Sequence, residues 1–301
     1  MNDPQVAAAL VRAGLPPDAP TSRLAGLTNV NYLVEAPDGQ VVLRIPGAGT
    51  SEYIDRRNEE HAARSAAAAG VNADVLFFDS SDGLMVTRFL SGSVTMSAER
   101  FRDLGAVRRA GVAFRRLHTT AAPFSNDFDL LGSIEGFRRL LLDKGAPFPP
   151  GYDDLQATAD ATRWALEAHP RPLVPSHCDP LCENFLDTGE RMYLIDFEYG
   201  GNNDPMWDLG DLSVEGGFDA AQDRALMRAY FGHDPAAADV GRMVAYKAMC
   251  DVLWALWGMV QHVNDNPVED FLAYANRRYA RCMALMGGPD YGGHLRAITG
   301  S

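Results

Sequence analysis

Residues 175–199 read PSHCDPLCENFLDTGERMYLIDFEY and crowd one histidine, two cysteines and several carboxylates into a single segment. Three chemistries compete for it. A structural zinc site needs four closed ligands, usually on two knuckles. His177 with Cys178-x3-Cys182 has no second pair nearby, and Cys250 and Cys282 fall on apolar helical patterns, where a thiol reads as a small core residue. A thiol nucleophile needs a base and an orienting group, yet His177 and Cys178 are sequence neighbours, which point apart on an extended loop. The third chemistry uses oxygens. Asp179 and Asn184 lead into a short hairpin (NFLD, TGE, RMYLID), and Asp196 ends its second strand. Carboxylate and amide oxygens are the hard ligands that Mg²⁺ takes together with substrate phosphates. A separate aspartate can accept the proton of an attacking hydroxyl, the division of labour of phosphoryl transfer. Each residue alone reads as a turn or cap; in this order and spacing they read as a site.

The composition bounds what such a site serves. The chain has 301 residues, 47% hydrophobic and 22% charged, enough for one large domain or two lobes sharing a site. A net charge of −13 argues against a nucleic-acid partner. It suits a cationic substrate, although an acidic surface also serves solubility. The longest apolar helical stretch, MVAYKAMCDVLWALWGMVQ, carries Lys247 and Asp251 and reads as a buried helix, so no membrane partner is expected. The first residues lack the basic and apolar regions of a signal peptide. A cytoplasmic location is therefore the expectation, with all four cysteines reduced.

The elements that must position the site follow from patterning. Residues 4–13 read as a short amphipathic helix with Pro4 in its first turn. YLVEA and VVLRI flank the turn PDGQ as a hairpin. A helix is expected over 51–70, with Ser51 as N-cap and Gly70 at its end. ADVLFFD and GLMVTRFL flank SSDG as a second hairpin. Strand–strand–helix–strand–strand differs from the alternation of a Rossmann sheet. Beyond residue 90 helical patterns dominate, at 97–118, 133–144, 152–168, 205–215, 219–231, 236–263 and 267–286. The reading is a β-rich lobe over 1–90 and a mainly helical lobe over 91–301.

The segments HCDPLCENF (177–185) and LIDFEY (194–199) resemble the H-x-D-x-x-x-x-N and I-D-x-E signatures of the choline/ethanolamine kinase and aminoglycoside phosphotransferase group. That resemblance implies an α+β, two-lobed protein kinase-like fold and the use of ATP and Mg²⁺. It assigns Asp179 as catalytic base, Asn184 and Asp196 as metal ligands, Glu198 as a residue reaching a metal through water, and His177 as the prop of the catalytic loop. GLTNVNYLV (26–34) is similar to the group's L-T-N-x-N-Y turn, so Thr28, Asn29 and Asn31 are expected over the ATP phosphates. A G-x-x-x-x-G-K-[ST] loop is missing from the sequence, against a P-loop NTPase. Arg44 in VVLRIPG matches the phosphate-binding cation, able to grip phosphate in a bidentate fork. Its expected partner is a helix glutamate in RRNEEH, by resemblance Glu59; Glu60 points about 100° away around the helix, and which of the two pairs with Arg44 is left open. MVTRFLSG (85–92) with Phe89 would form the hinge that meets adenine, mostly through backbone groups.

The acceptor is a separate question, because a fold does not choose a substrate. Trp254 and Trp257 share one helical face, and Tyr274 on the next helix can join them. Aromatic faces attract quaternary ammonium groups by roughly 0.5–2 kcal/mol per contact; the same spacing also suits a core. The segment resembles the W-x-x-W-x-x-x-Q stretch of choline kinases, whose tryptophans border the choline pocket. Glu215 and Asp208 are candidates for negative charge near the cationic head, Asp208 equally for a helix cap. The expectation is a kinase of choline or a related amino alcohol such as ethanolamine. Thiamine, aminoglycoside and homoserine kinases are the alternatives, with a catalytically inactive pseudokinase as a different class. The oligomeric state is left open.

Overall fold

A computed structural model describes residues 3–24, 29–47 and 54–300. Within it the chain forms two compact units, one of residues 1–127 and 174–202, the other of residues 128–173 and 203–301.

The first unit opens with helix α1 (Pro4–Arg12), capped by Asp3 with Pro4 in its first turn, as its sequence requires. Strands β1 (Thr21–Arg23), β2 (Val30–Ala36), β3 (Gly39–Ile45), β4 (Val75–Asp79) and β5 (Leu84–Arg88) form an antiparallel sheet in the order β1-β2-β3-β5-β4. Helix α2 (Arg56–Ala68) lies in the chain between β3 and β4. Both expected hairpins are present. Register opposes Asn31 to Arg44, and Arg44 to Met85 across the next pair. Val6 and Leu10 of α1 pack on Val34, Leu43 and Val86 of the sheet. Burying each such side chain contributes roughly 1.5–3 kcal/mol, so this core holds β3 in place beneath the site. The N-cap of α2 is Asp55, which accepts from the Arg57 and Asn58 N–H groups. Ser51, the expected cap, lies outside the described residues.

Beyond the sheet, β6 (Val94–Thr95) joins a second small sheet with the hairpin β8 (Phe185–Asp187) and β9 (Met192–Leu194), while β7 (Val174–Ser176) pairs with β10 (Gly201–Asn203). Helix α3 (Leu104–Thr120), capped by Asp103, packs on β7 and β9. The change from strands to helices near residue 90 is therefore not where the compact units divide. The segment from 94 to 120 returns to the strands that carry the HCD loop, and its contacts keep it with them.

The second unit is helical: α4 (Leu130–Asp143), α5 (Gln156–Ala168), α6 (Pro205–Glu215), α7 (Ala220–Phe231), α8 (Ala237–Val263), α9 (Phe271–Met286) and α10 (Tyr291–Thr299). Asp204, not Asp208, caps α6, and Pro205 follows as its first residue. The central helix α8 packs against α6, α9 and α10. Among the described residues α8 is the one helix long and apolar enough to cross a membrane, and 83% of its apolar window is buried within the protein. That matches the buried-helix reading of Lys247 and Asp251 within it. Helix α10 was not expected, since Gly292 and Gly293 weaken its pattern.

Candidate active site

The HCD loop leaves β7 at Ser176. His177 is fully buried, its Nε2 within 2.8 Å of the Ile195 carbonyl and its ring 4.7 Å from Phe197. The Asp179 N–H donates to His177 Nδ1 at 3.4 Å. An acceptor at Nδ1 places the imidazole proton on Nε2, where it donates to Ile195. One buried ring thus ties Asp179 to the strand end that carries Asp196. Between them Cys178 adopts φ +68°, a left-handed conformation uncommon for a residue with a Cβ. Its thiol turns inward toward the Ser176 and Gly201 carbonyls, and Cys182 is buried too.

Asn184 closes the loop. Its side-chain amide donates to the Asp179 carbonyl at 3.0 Å, and its own carbonyl accepts from the Ile195 N–H at 2.9 Å. Asp196 is the second non-glycine here in the left-handed region, at φ +66°. Its Oδ1 accepts from Arg44 at 2.9 Å.

Arg44 is buried on β3 and also donates to the Gly83 carbonyl at 3.1 Å. Its second carboxylate partner is Glu59 of α2. Glu60 points outward and pairs with Arg64 one turn on, at 3.0 Å. Arg56 is a site residue the sequence reading missed. It is buried, 2.6 Å from Glu59 and 3.7 Å from Glu198. Gly83 makes room for it: a Cβ there would lie 2.6 Å from Arg56 Nε, and φ is +91°. The signal was available, because Arg56 is three residues before Glu59 on one helical face.

Glu198 accepts from Asn29 at 3.3 Å, and Asn29 in turn accepts from the Gly47 N–H at 3.3 Å. Burial, then the nearby Asp196 charge, pushes the Glu198 carboxyl up to about 7, with Arg44 opposing. Ligand oxygens of Glu59, Asp196 and Glu198 lie within 4.8 Å of one another. Three carboxylates against two guanidiniums, with one carboxyl driven toward its protonated form, is a site short of positive charge. All its donors are hard oxygens, so the residues fit a divalent cation such as Mg²⁺. Asn31 stands opposite Arg44 in the sheet. The Phe89 N–H is committed to the Gln40 carbonyl at 3.1 Å, which leaves its carbonyl and ring for any ligand. Thr28 lies outside the described residues.

In the second unit Trp254, Trp257 and Tyr274 do meet. Trp254 and Trp257 are edge-on with centroids 5.9 Å apart, Trp257 and Tyr274 are 6.0 Å apart, and Phe271 joins at 5.4 Å from Trp257. Gly258 allows the close approach of α9, since a Cβ there would sit 2.8 Å from the Tyr274 ring. Trp254 is nearly buried, whereas Trp257 and Tyr274 are partly exposed. Glu215, expected as a free negative charge, is instead ion-paired with Arg278. Asp208 is fully buried inside α6.

Comparison with known proteins agrees with this layout. The Phosphotransferase enzyme family matches residues 21–240. A solved choline/ethanolamine kinase family protein of Mesorhizobium loti is 51% identical, superposes with a TM-score of 0.90, and the alignment covers 99% of this chain and 97% of that one. Protein LicA of Haemophilus influenzae is 28% identical over 89% of this chain and 80% of its own length. A probable ethanolamine kinase of Arabidopsis thaliana is 26% identical over 84% of this chain and 76% of its own. With the α+β kinase-like fold, a family match over most of its length and a relative sharing half its residues, the chain belongs to the choline/ethanolamine kinase family of phosphotransferases.

Proposed function

We propose that the protein transfers the γ-phosphoryl group of ATP, with Mg²⁺, to the hydroxyl of choline or ethanolamine. The observation that carries this reading is the meeting of Glu59, from α2, with Asp196 and Glu198, from the strand end that His177 ties to Asp179.

Asp179 orients the acceptor hydroxyl and takes its proton as the oxygen–phosphorus bond forms and the bond to the departing ADP breaks. His177 and Asn184 hold the Asp179 loop through the bonds described above. Asn184 and Asp196 would hold the metal, and Glu198 would reach it through water. A bound Mg²⁺ supplies charge neutralisation at the nucleotide phosphates. Arg44, fixed by Glu59, presents a permanent cation to phosphate oxygens. Asn29 and Asn31 cover the phosphates, and the 85–92 segment with Phe89 receives adenine. These parts lie in the β-rich stretch up to about residue 90 and in the HCD and IDFE segments. Trp254, Trp257 and Tyr274 receive the acceptor's ammonium group, and Glu215 belongs to their surroundings. A donor such as ATP favours a cytoplasmic setting.

A coupled kinase assay across choline, ethanolamine, thiamine, homoserine and kanamycin tests the reading. Mg²⁺-dependent turnover of an amino alcohol, lost in Asp179→Ala, is the expected result. Turnover of another acceptor alone, or undiminished turnover by the variant, would overturn it.

A further inference from the structure

Arg278 sits one turn after Tyr274 on α9 and is buried together with its partners. Its guanidinium pairs with Glu215 at the end of α6 and with Asp251 of α8 at 3.3 Å, and its carbon lies 4.8 Å from the centre of the Tyr274 ring. Asp251 is held further by Arg281 at 2.6 Å, and Asp211 accepts from the Cys250 thiol at 3.1 Å. Glu215 and Asp251 are thus already engaged by the protein's own donors. Glu215, with its side chain 14% exposed, is more open than Asp251 at 1%, and it is the one Arg278 claims.

Amino alcohols differ in what they ask of such a surface. A primary ammonium carries three N–H donors and loses strong hydration on binding, so it needs acceptors in return. A quaternary ammonium has no N–H; its charge is spread over methyl groups that ring faces attract. We propose that Arg278 is a specificity-determining residue: by occupying Glu215 and steadying the Tyr274 ring, it makes the site read quaternary amines in preference to primary ones. This rests on the aromatic group being the acceptor site, as proposed above. Arg278 acts through Glu215 and Tyr274 and touches no reacting atom, so it is a positioning residue.

The test is the ratio of kcat/KM for choline to that for ethanolamine. The wild-type protein should favour choline. Arg278→Met releases the Glu215 carboxylate and should lower the ratio about tenfold, and Arg278→Met with Glu215→Gln should return it toward the wild-type value. A lost structural prop would depress both substrates without this reversal. If Arg278→Met does not fold, Glu215→Gln alone decides, because a carboxylate already claimed by Arg278 should leave the ratio within about threefold. A selective loss of ethanolamine turnover in Glu215→Gln would overturn the proposal. So would a wild-type preference for ethanolamine, or an unchanged ratio in Arg278→Met. A wild-type protein that phosphorylates neither amino alcohol would instead overturn the function itself, and the proposal with it.

Discussion

The two charged clusters of this protein each set three carboxylates beside two guanidiniums, and they differ in what else lies against them. Around Arg44 and Arg56, three carboxylates converge on two guanidiniums, and Glu198 is driven toward protonation. Around Arg278 and Arg281, Glu215 and Asp251 are ion-paired, Asp211 accepts from the Cys250 thiol, and an aromatic group lies alongside. Burying unpaired charge costs several kcal/mol, so a fold keeps an unbalanced cluster only where something else completes it. The first cluster calls for a cation from outside. In the second, Arg278 and Arg281 hold Glu215 and Asp251, and ring faces lie beside them.

Breaking each cluster should have a different signature. Asp179→Ala should cut turnover by about 10²–10⁴-fold with the melting temperature and nucleotide affinity nearly unchanged; steady-state kinetics and a binding titration check this. Trp254→Ala, in contrast, should cost stability and function together. It removes a nearly buried ring in edge contact with Trp257, worth about 3–5 kcal/mol by denaturant unfolding. It should also raise the KM for the acceptor more than that for ATP.

Glu59→Gln should destabilise by about 3 kcal/mol, because it strips the shared partner of two buried guanidiniums. Its neighbour Glu60→Gln, paired only at the surface with Arg64, should change stability by less than about 0.5 kcal/mol. Equal effects in the two variants would dissolve the distinction between cluster and surface.

The pH dependence is smaller. In the folded protein the Glu198 carboxyl titrates near 7, and in the unfolded chain near its ordinary value of 4.5, so the folded form binds more protons between those values. The Glu198 contribution is therefore most favourable below about 4.5 and is lost as pH rises through about 7, on the order of 1–3 kcal/mol. Glu198→Gln should remove this slope in urea titrations run without metal, and saturating Mg²⁺ should flatten it in the wild type.

Much of this was legible in the sequence because it was local. PDGQ and SSDG between alternating runs gave both hairpins, whereas the choice between the neighbours Glu59 and Glu60, about 100° apart around the helix, came from the fold. The order of Asp179, Asn184 and Asp196 around a hairpin carried the site. What escaped is non-local or short. Strands β1, β6, β7 and β10 span two or three residues each, too few for a period to register. Arg56 shares a helical face with Glu59, a signal within reach, but its approach to Glu198 joins residues far apart in the chain. The Arg278–Glu215 pair joins residues 63 positions apart, so Glu215 read as a free charge.

The central claim is that the first cluster is completed by a divalent cation that arrives with a nucleotide. Isothermal titration of a non-hydrolysable ATP analogue, with and without Mg²⁺, against the wild type and Asp196→Asn tests it most directly. The wild type should bind the analogue at least about tenfold more tightly with Mg²⁺ and release protons near neutral pH, and Asp196→Asn should lose that dependence while still folding. Binding indifferent to Mg²⁺ in the wild type, or equally Mg²⁺-dependent in Asp196→Asn, would contradict it.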